Sequence, residues 1–304
     1  MRLVDAHVHL DFMSNAAEVA ADAARDGLGL YAATVTPAGY DAAHPELDDV
    51  PNVCLALGLH PWWVADGRCK ERDVRHFEEL AGHTRWLGEV GLDFSDTHTA
   101  PDSHGRQAAA FARVCAAAAR TSSSVLSIHS VRAADTCLDI LADTGCLERC
   151  HCVFHWFSDS SDELHRAVTS GCWFSVNEMM LATRRGREYA RQVPLGRLLT
   201  ETDLPPHGRA PFSARKIEAS LERSIATMAQ LRHLDLARML DPTWVQDPSR
   251  IGYAGYTERF AGDLRGVEKR IPYLRELGVS YLHLMPLLTP RPGDSDGGYA
   301  VADY

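Results

Sequence analysis

Residues 4–11 read Val-Asp-Ala-His-Val-His-Leu-Asp. Taken as a strand, this stretch puts Asp5, His7, His9 and Asp11 on one face and Val4, Ala6, Val8 and Leu10 on the other, because successive strand side chains point to opposite sides. Imidazoles two residues apart on a strand share a face at a separation that lets both reach one divalent ion. The plain alternative is a strand with one solvated face, and a histidine pair alone does not decide between them.

Working outward, the chain of 304 residues is long enough for one large barrel or two modest domains. With 45% hydrophobic residues it can bury a substantial core, and no stretch approaches the ~18 apolar residues of a membrane span. It opens on the strand with no charged-then-apolar leader, which predicts a cytoplasmic protein without a membrane partner. In that compartment eight cysteines are expected to be reduced thiols. A net charge of -10 argues against a broad basic nucleic-acid surface. It does not exclude a nuclease that holds phosphate with metal ions.

Apolar runs then alternate with helix-like stretches. Strands are predicted at Leu28–Pro37, Asn52–Pro61, Thr84–Asp93, Ser124–Ser130, Cys150–Phe157, Cys172–Met180 and Gly196–Pro205. Helices are predicted at Asn15–Asp26, Cys69–Gly82, Arg106–Arg120, Ala133–Leu147, Ser161–Ser170 and Arg184–Gln192. The Ala-rich run Ala108–Ala119 reads as a tightly packed helix. Counting residues 4–11, eight strands in βα alternation predict an α/β fold of the TIM-barrel kind. In such a barrel the active site lies at the C-terminal strand ends, and here those ends carry His7 and His9, His60, Glu89 and Asp93, His129, His155, and Glu201 with Asp203. Six of the eight strands deliver a histidine or carboxylate to one rim, which solvated strands would not do.

The chemistry these residues suit is hydrolysis by two divalent ions about 3.5–4 Å apart, which needs a carboxylate between them. Glu89 is the candidate, since Gly88 and Gly91 leave room around it. A carbamylated lysine is disfavoured, because Lys70, Lys216 and Lys269 all lie away from strand ends. Trp62-Trp63, after His60-Pro61, suits either stacking of a splayed base or anchoring of a loop. Asp11 and Asp93 are candidates to orient the imidazoles, or rim groups in solvent. Cys150-His151-Cys152 with His155 invites a zinc reading. On a strand, however, the cysteines point away from the histidines, so core thiols are expected.

Asp5-Ala-His-Val-His-Leu-Asp11, Gly58-Leu-His-Pro61, Gly88-Glu-Val-Gly-Leu-Asp93, Ile128-His-Ser130, Phe154-His-Trp-Phe157 and Glu201-Thr-Asp203 resemble, in order and spacing, the TatD family of metal-dependent deoxyribonucleases. The resemblance covers residues 1–240. It implies an amidohydrolase-like TIM barrel with two divalent ions, magnesium or manganese with zinc as the alternative, acting on DNA 3′ ends. By motif position, His7, His9 and Asp203 would hold one metal and His129 and His155 the other, with Glu89 shared. Catalytic roles would fall to Asp203, Glu89 and His60, with Asp203 helping to deprotonate water and His60 facing the phosphate. Substrate contacts would come from His60, Trp63 and Arg132. Two departures touch the substrate rim. The family's arginine two positions after the fifth-strand histidine is Val131 here, with Arg132 following, and its glycine after the sixth-strand histidine is replaced by Ser158-Asp159-Ser160. Trp173–Asn177 and Leu198–Asp203 are most similar to TatD-type nucleases of Qat anti-phage operons, which implies operon partners. The alternatives are a barrel hydrolase acting on a small amide, ester or phosphate, and a non-catalytic fusion product.

The pattern changes near residue 240. A helix is predicted at Lys216–Met239, then a strand at Ile251–Arg259, a helix at Leu264–Leu277 and a strand at Ser280–Pro286. Asp241–Trp244, Tyr256–Gly262, Ile271–Leu274, Tyr281–Pro286 and Asp296–Val301 resemble the opening of an amylosucrase barrel, with Asp296 and Tyr299 at sugar-subsite positions. The strands that would carry that family's paired carboxylates are absent from the sequence. Residues 241–304 are therefore expected to be an incomplete appendage, loosely packed or disordered, that is not a domain by itself.

Overall fold

The computed structural model describes residues 2–121, 124–206, 208, 210–240, 251–285, 289–290 and 301–303, with side chains described to residue 233 and across 251–285. Eight strands, β1 (Leu3–Val8), β2 (Leu28–Ala33), β3 (Val53–Leu59), β4 (Trp86–Asp93), β5 (Val125–Val131), β6 (His151–His155), β7 (Trp173–Val176) and β8 (Leu198–Thr200), run in sheet order 1 to 8. Every neighbouring pair is parallel. Asp203 N donates to His7 O at 2.9 Å and His9 N to Leu204 O at 2.9 Å, so the segment after β8 returns to β1. The expected α/β barrel is the fold observed.

The strands form where apolar runs can be buried on both faces, as parallel strands between helices must be. All six residues of β2 are buried, and in β4 all but Trp86. The covering helices begin on side-chain caps. Ser160 and Glu163 form a reciprocal capping box at Ser161–Thr169, and Thr36 accepts from Gly39 N at 2.9 Å at the start of Pro37–Leu47. Helix His104–Thr121 buries Ala110, Ala117, Ala118 and Ala119 beside Phe111, Val114 and Cys115, the close packing expected of its small residues.

Some predicted boundaries need correction. The strand predicted to reach Pro37 ends at Ala33, and the helix Pro37–Leu47, between the predicted strands Leu28–Pro37 and Asn52–Pro61, was not anticipated. The strand predicted to reach Met180 stops at Val176. Asn177 then accepts from Met180 N at 2.8 Å and starts the helix Glu178–Ala182. Strand β8 spans only Leu198–Thr200. Cys152 is buried, Cys150 half-buried and His151 exposed, and no metal-holding group forms there among the described residues.

Two units divide the chain, residues 1–232 and 233–304, and the helix Ala214–Leu240 spans the division. Within the second unit, a strand β9 (Ile251–Gly255) pairs in parallel with β10 (Val279–Leu284). Helices lie between them at Thr257–Ala261 and Leu264–Glu276, so the strand predicted to reach Arg259 ends at Gly255. Residues 289–290 and 301–303 pair antiparallel. Asp241–Trp244, Pro286, Asp296 and Tyr299 lie outside the described residues. Among the described residues no helix is long and apolar enough to cross a membrane.

Glycine at position 91 is a requirement of barrel closure. Its φ is +141°, and a Cβ there would lie 2.0 Å from His129 O on the neighbouring strand. Gly91→Ala is therefore expected to lower stability by at least ~2 kcal/mol, read as a drop in the urea midpoint at unchanged slope.

Candidate metal centre

Parallel strands and inward alternation bring seven side chains to one end of the barrel. His7 and His9 come from β1 and the turn after it, His60 from the end of β3, Glu89 from β4, His129 from β5, His155 from β6 and Asp203 from the segment after β8. Glu89 is at their centre, and its two oxygens face different partners. Oε2 lies 3.5 Å from His7 Nε2 and 3.3 Å from His9 Nε2. Oε1 lies 2.8 Å from His129 Nδ1, 2.9 Å from His155 Nε2 and 3.1 Å from His60 Nε2.

The first set has the dimensions of a coordination shell. Donor atoms about 2.1 Å from a common cation in tetrahedral array lie roughly 3.4 Å from one another. Here His7 Nε2 and His9 Nε2 are 3.3 Å apart, and Asp203 Oδ1 is 3.5 Å from His9 Nε2 and 3.8 Å from His7 Nε2. Two imidazole nitrogens facing each other and two carboxylate oxygens gain most from a shared cation. On the other side, Glu89 with His129 and His60 forms a second group able to hold an ion, and His7 with His155 and Glu201 a third.

Hydrogen bonds to the far nitrogens determine which imidazoles can ligate. His9 Nδ1 donates to Ala33 O at 3.1 Å, leaving the Nε2 lone pair for the site. His129 Nε2 faces Asp93 Oδ2 at 3.2 Å, which turns Nδ1 toward Glu89. Ser127 Oγ holds His7 Nδ1 at 2.7 Å. His60 is different. Its Nδ1 accepts from Trp62 N at 3.1 Å, so the hydrogen of the neutral ring sits on Nε2 and points at Glu89. His60 is thus arranged as a hydrogen-bond donor, and a ligand role would cost it this cap. The buried His155 Nδ1 has no hydrogen-bond partner and lies 3.9 Å from Glu201 Oε1.

The electrostatics favour positive charge. Burial pushes the Glu89 carboxyl up, but the His60 and His155 rings and hydrogen bonds from His129 and His155 hold it well below the usual range. Burial pulls all five rings down. Carboxylates nevertheless raise His9, His155 and His129, the last to about 9. Only His7, at about 4, and His60 stay lowered. Carboxylates that draw protons onto imidazoles in a dry site would hold divalent cations by the same attraction.

Three residues at strand ends adopt left-handed backbone: Arg132 (φ 53°), Trp156 (φ 40°) and Asp203 (φ 56°). Such conformations cost about 1–3 kcal/mol each and persist only where neighbours enforce them. The buried Asp159 accepts from Arg132 N, from Ser130 Oγ at 2.7 Å and from Ala134 N at 3.0 Å. Glu201, wholly buried, accepts from Trp156 N at 3.1 Å and Asn177 Nδ2 at 2.9 Å, and also from Ser175 Oγ. Asp5 accepts from His7 N at 3.1 Å and Thr202 N at 3.0 Å, which clasps β1 to the segment carrying Asp203. None of the three was assigned a role from the sequence, where Glu201 was noted only at its strand end and Asp159 only as a departure at the rim; Asp5 had parity with His7, and Glu201 parity with Asp203, as its signal. Asp11 Oδ1 lies 3.9 Å from His9 Nδ1.

A cavity of about 640 Å³ opens over the centre and is lined by Glu89, His60, His129, Asp203, Trp63 and Arg132 among others. His9 and His155 line it too, whereas His7 is wholly buried beneath it. The lining residues reach it differently: the Glu89 side chain is 4% exposed, Asp203 22% and Arg132 69%.

Comparison with known proteins gives a consistent picture. The family model described as TatD related DNase matches residues 4–246. The metal-dependent hydrolase YcfH of Escherichia coli K12 is 28% identical over 253 residues, 80% of this chain and 93% of that protein. The 3′-5′ ssDNA/RNA exonuclease TatD of Dickeya dadantii is 31% identical over 162 residues, 51% of this chain and 58% of that protein. Among solved structures, the TatD homologue YJJV of Escherichia coli K12 superposes with a TM-score of 0.63 at 22% identity, covering 76% of this chain and 90% of that one.

If Glu89 is shared between two ions, Glu89→Gln should lower bound metal from about two ions per chain towards one, measured by elemental analysis after equilibrium dialysis. Unchanged stoichiometry would refute the sharing.

Proposed function

Because this chain belongs to the TatD related DNase family of metal-dependent hydrolases, we propose that it hydrolyses phosphodiester bonds at DNA 3′ ends with two divalent ions, magnesium or manganese. The observation that supports two ions is the divided Glu89 carboxylate, with Oε2 toward His7 and His9 and Oε1 toward His129 and His155. His7, His9 and Asp203 would hold one ion with Glu89, and His129 and His155 the other. Bound there, the ions supply Lewis acidity toward phosphate oxygens and lower the pKa of a water.

The chain's own groups do the rest. Asp203 is the more exposed of the two ligand carboxylates, 22% against 4% for Glu89, and it accepts the proton of the attacking water. His60 donates from Nε2 to a phosphate oxygen, its tautomer fixed by the Trp62 amide. Arg132, on the rim and 3.5 Å from Asp96, grips the phosphate of the next nucleotide in exchange for that weak surface pair. The buried walls exclude bulk water and strengthen each of these interactions. Relatives named as ssDNA/RNA exonucleases agree with a single-stranded substrate.

We assign the chemistry to residues 1–240 and read 241–304 as an incomplete amylosucrase-like appendage without catalytic function. The Qat-type similarity would place the enzyme beside operon partners in anti-phage defence. The second reading, a hydrolase of a small amide, ester or phosphate, draws on the same centre, since one metal site serves many substrates.

Release of nucleotides from 3′-labelled single-stranded DNA should require magnesium or manganese and be lost in His7→Ala. Asp203→Asn should cut the rate by about 10²–10⁴-fold while costing less metal than His7→Ala. No release from a folded, metal-loaded protein would shift the assignment to a small substrate. A chain ending at residue 240 should retain the activity, and its inactivity in a folded state would show that the appendage contributes.

A further inference from the structure

One wall of the cavity is an indole that no ligand assignment uses. Trp62 Nε1 donates to Asp93 Oδ2 at 2.6 Å, and the same oxygen is 3.2 Å from His129 Nε2. Asp93 is wholly buried, and its other oxygen accepts from Ser95 N at 2.8 Å and Ser95 Oγ at 2.5 Å. One fixed carboxylate therefore locks both an imidazole of the centre and the Trp62 ring. The ring centroid is 4.9 Å from that of His60 and 5.9 Å from that of His129.

Trp62 is built to receive a flat ring. The exposed imidazole of His98 stacks on it at 4.3 Å with planes 26° apart, so the indole already accommodates an aromatic group from the solvent side. Trp63 lies almost parallel, at 3°, but the guanidinium of Arg68 covers it at 4.0 Å. Both indoles are half-buried and line the cavity, so the Arg68 cover on Trp63 and the Asp93 bond that fixes Trp62 are what set the two apart.

We propose that Trp62 is the plate of a nucleobase subsite, on which the base of the nucleotide at the metal centre stacks in the position His98 takes in the free protein. The subsite takes an unpaired base of any identity, because every base has a π-face and the indole nitrogen is committed to Asp93. This deepens the nuclease reading and rests on it: the substrate class becomes single-stranded polynucleotide with an intact terminal base.

The test compares two single-stranded DNA oligonucleotides that differ only in whether the 3′-terminal nucleotides carry bases or are abasic. The full-length enzyme with manganese should show a KM about 10- to 100-fold higher for the abasic strand. Trp62→Ala should collapse that ratio toward one, and Trp62→Phe, which keeps a stacking face and loses the bond to Asp93, should retain most of it. Equal KM values for the two strands in the wild-type enzyme would overturn the plate and leave the nuclease standing. A Trp62→Ala enzyme weakened equally on both strands, with the ratio intact, would overturn it in favour of a structural indole. Cleavage of neither strand by the wild-type enzyme would instead overturn the nuclease reading, and the subsite with it.

Discussion

Glu89 is a carboxylate in the floor of a barrel, 3% exposed, with imidazoles on both sides. A charge in that position is expensive unless it is matched, and removing one partner of a buried pair costs more than the pair contributes. The surrounding structure reads as the set of conditions that make the charge tolerable. Glu89 N donates to Thr34 O at 2.7 Å, which ties its backbone to the end of β2. Gly91 lets β5 approach closely enough to bring His129 Nδ1 within 2.8 Å. Each side chain that faces the carboxylate is positioned by the strand that carries it or by the residues just after that strand.

A second ring of contacts orients these histidines, and the Ala33 carbonyl fixes the tautomer of His9. Ala33 O, Asp93 and Ser127 occupy the far nitrogens of His9, His129 and His7. The near nitrogens are thereby committed to the centre. His60 obeys the opposite logic, since a backbone amide takes its Nδ1 and leaves a donor pointing inward. The same imidazole chemistry thus gives ligands and a donor on one rim, separated by what lies behind each ring.

Much of this was legible in the sequence. A polar residue at a strand end in an otherwise apolar run is conspicuous, and period-two alternation gives the face of His7, His9 and Asp5. What stayed hidden depends on partners far along the chain. Asp5 is bound to Thr202 and Asp159 to the turn at Arg132, and neither partnership has a local pattern. Trp62 could not be told from Trp63 by composition. What separates them, Asp93 at the indole nitrogen of Trp62 and Arg68 over the ring of Trp63, is visible only in the fold. The helix Pro37–Leu47 was hidden for a local reason: its first residue is a proline, suited to a helix start, but Pro45 inside it interrupts the helical pattern.

The second unit bears on function through what it contains. Its paired strands β9 and β10 have no buried residue, and Thr257, Val267 and Leu274 are its buried side chains among the described residues. A two-stranded sheet with helices on so small a core gains little from burial. Every group able to hold a metal among the described residues comes from residues 7–201, within the first unit. The family match, ending at residue 246, stops where the barrel pattern in the sequence gives way to the strand-helix-strand pattern that follows.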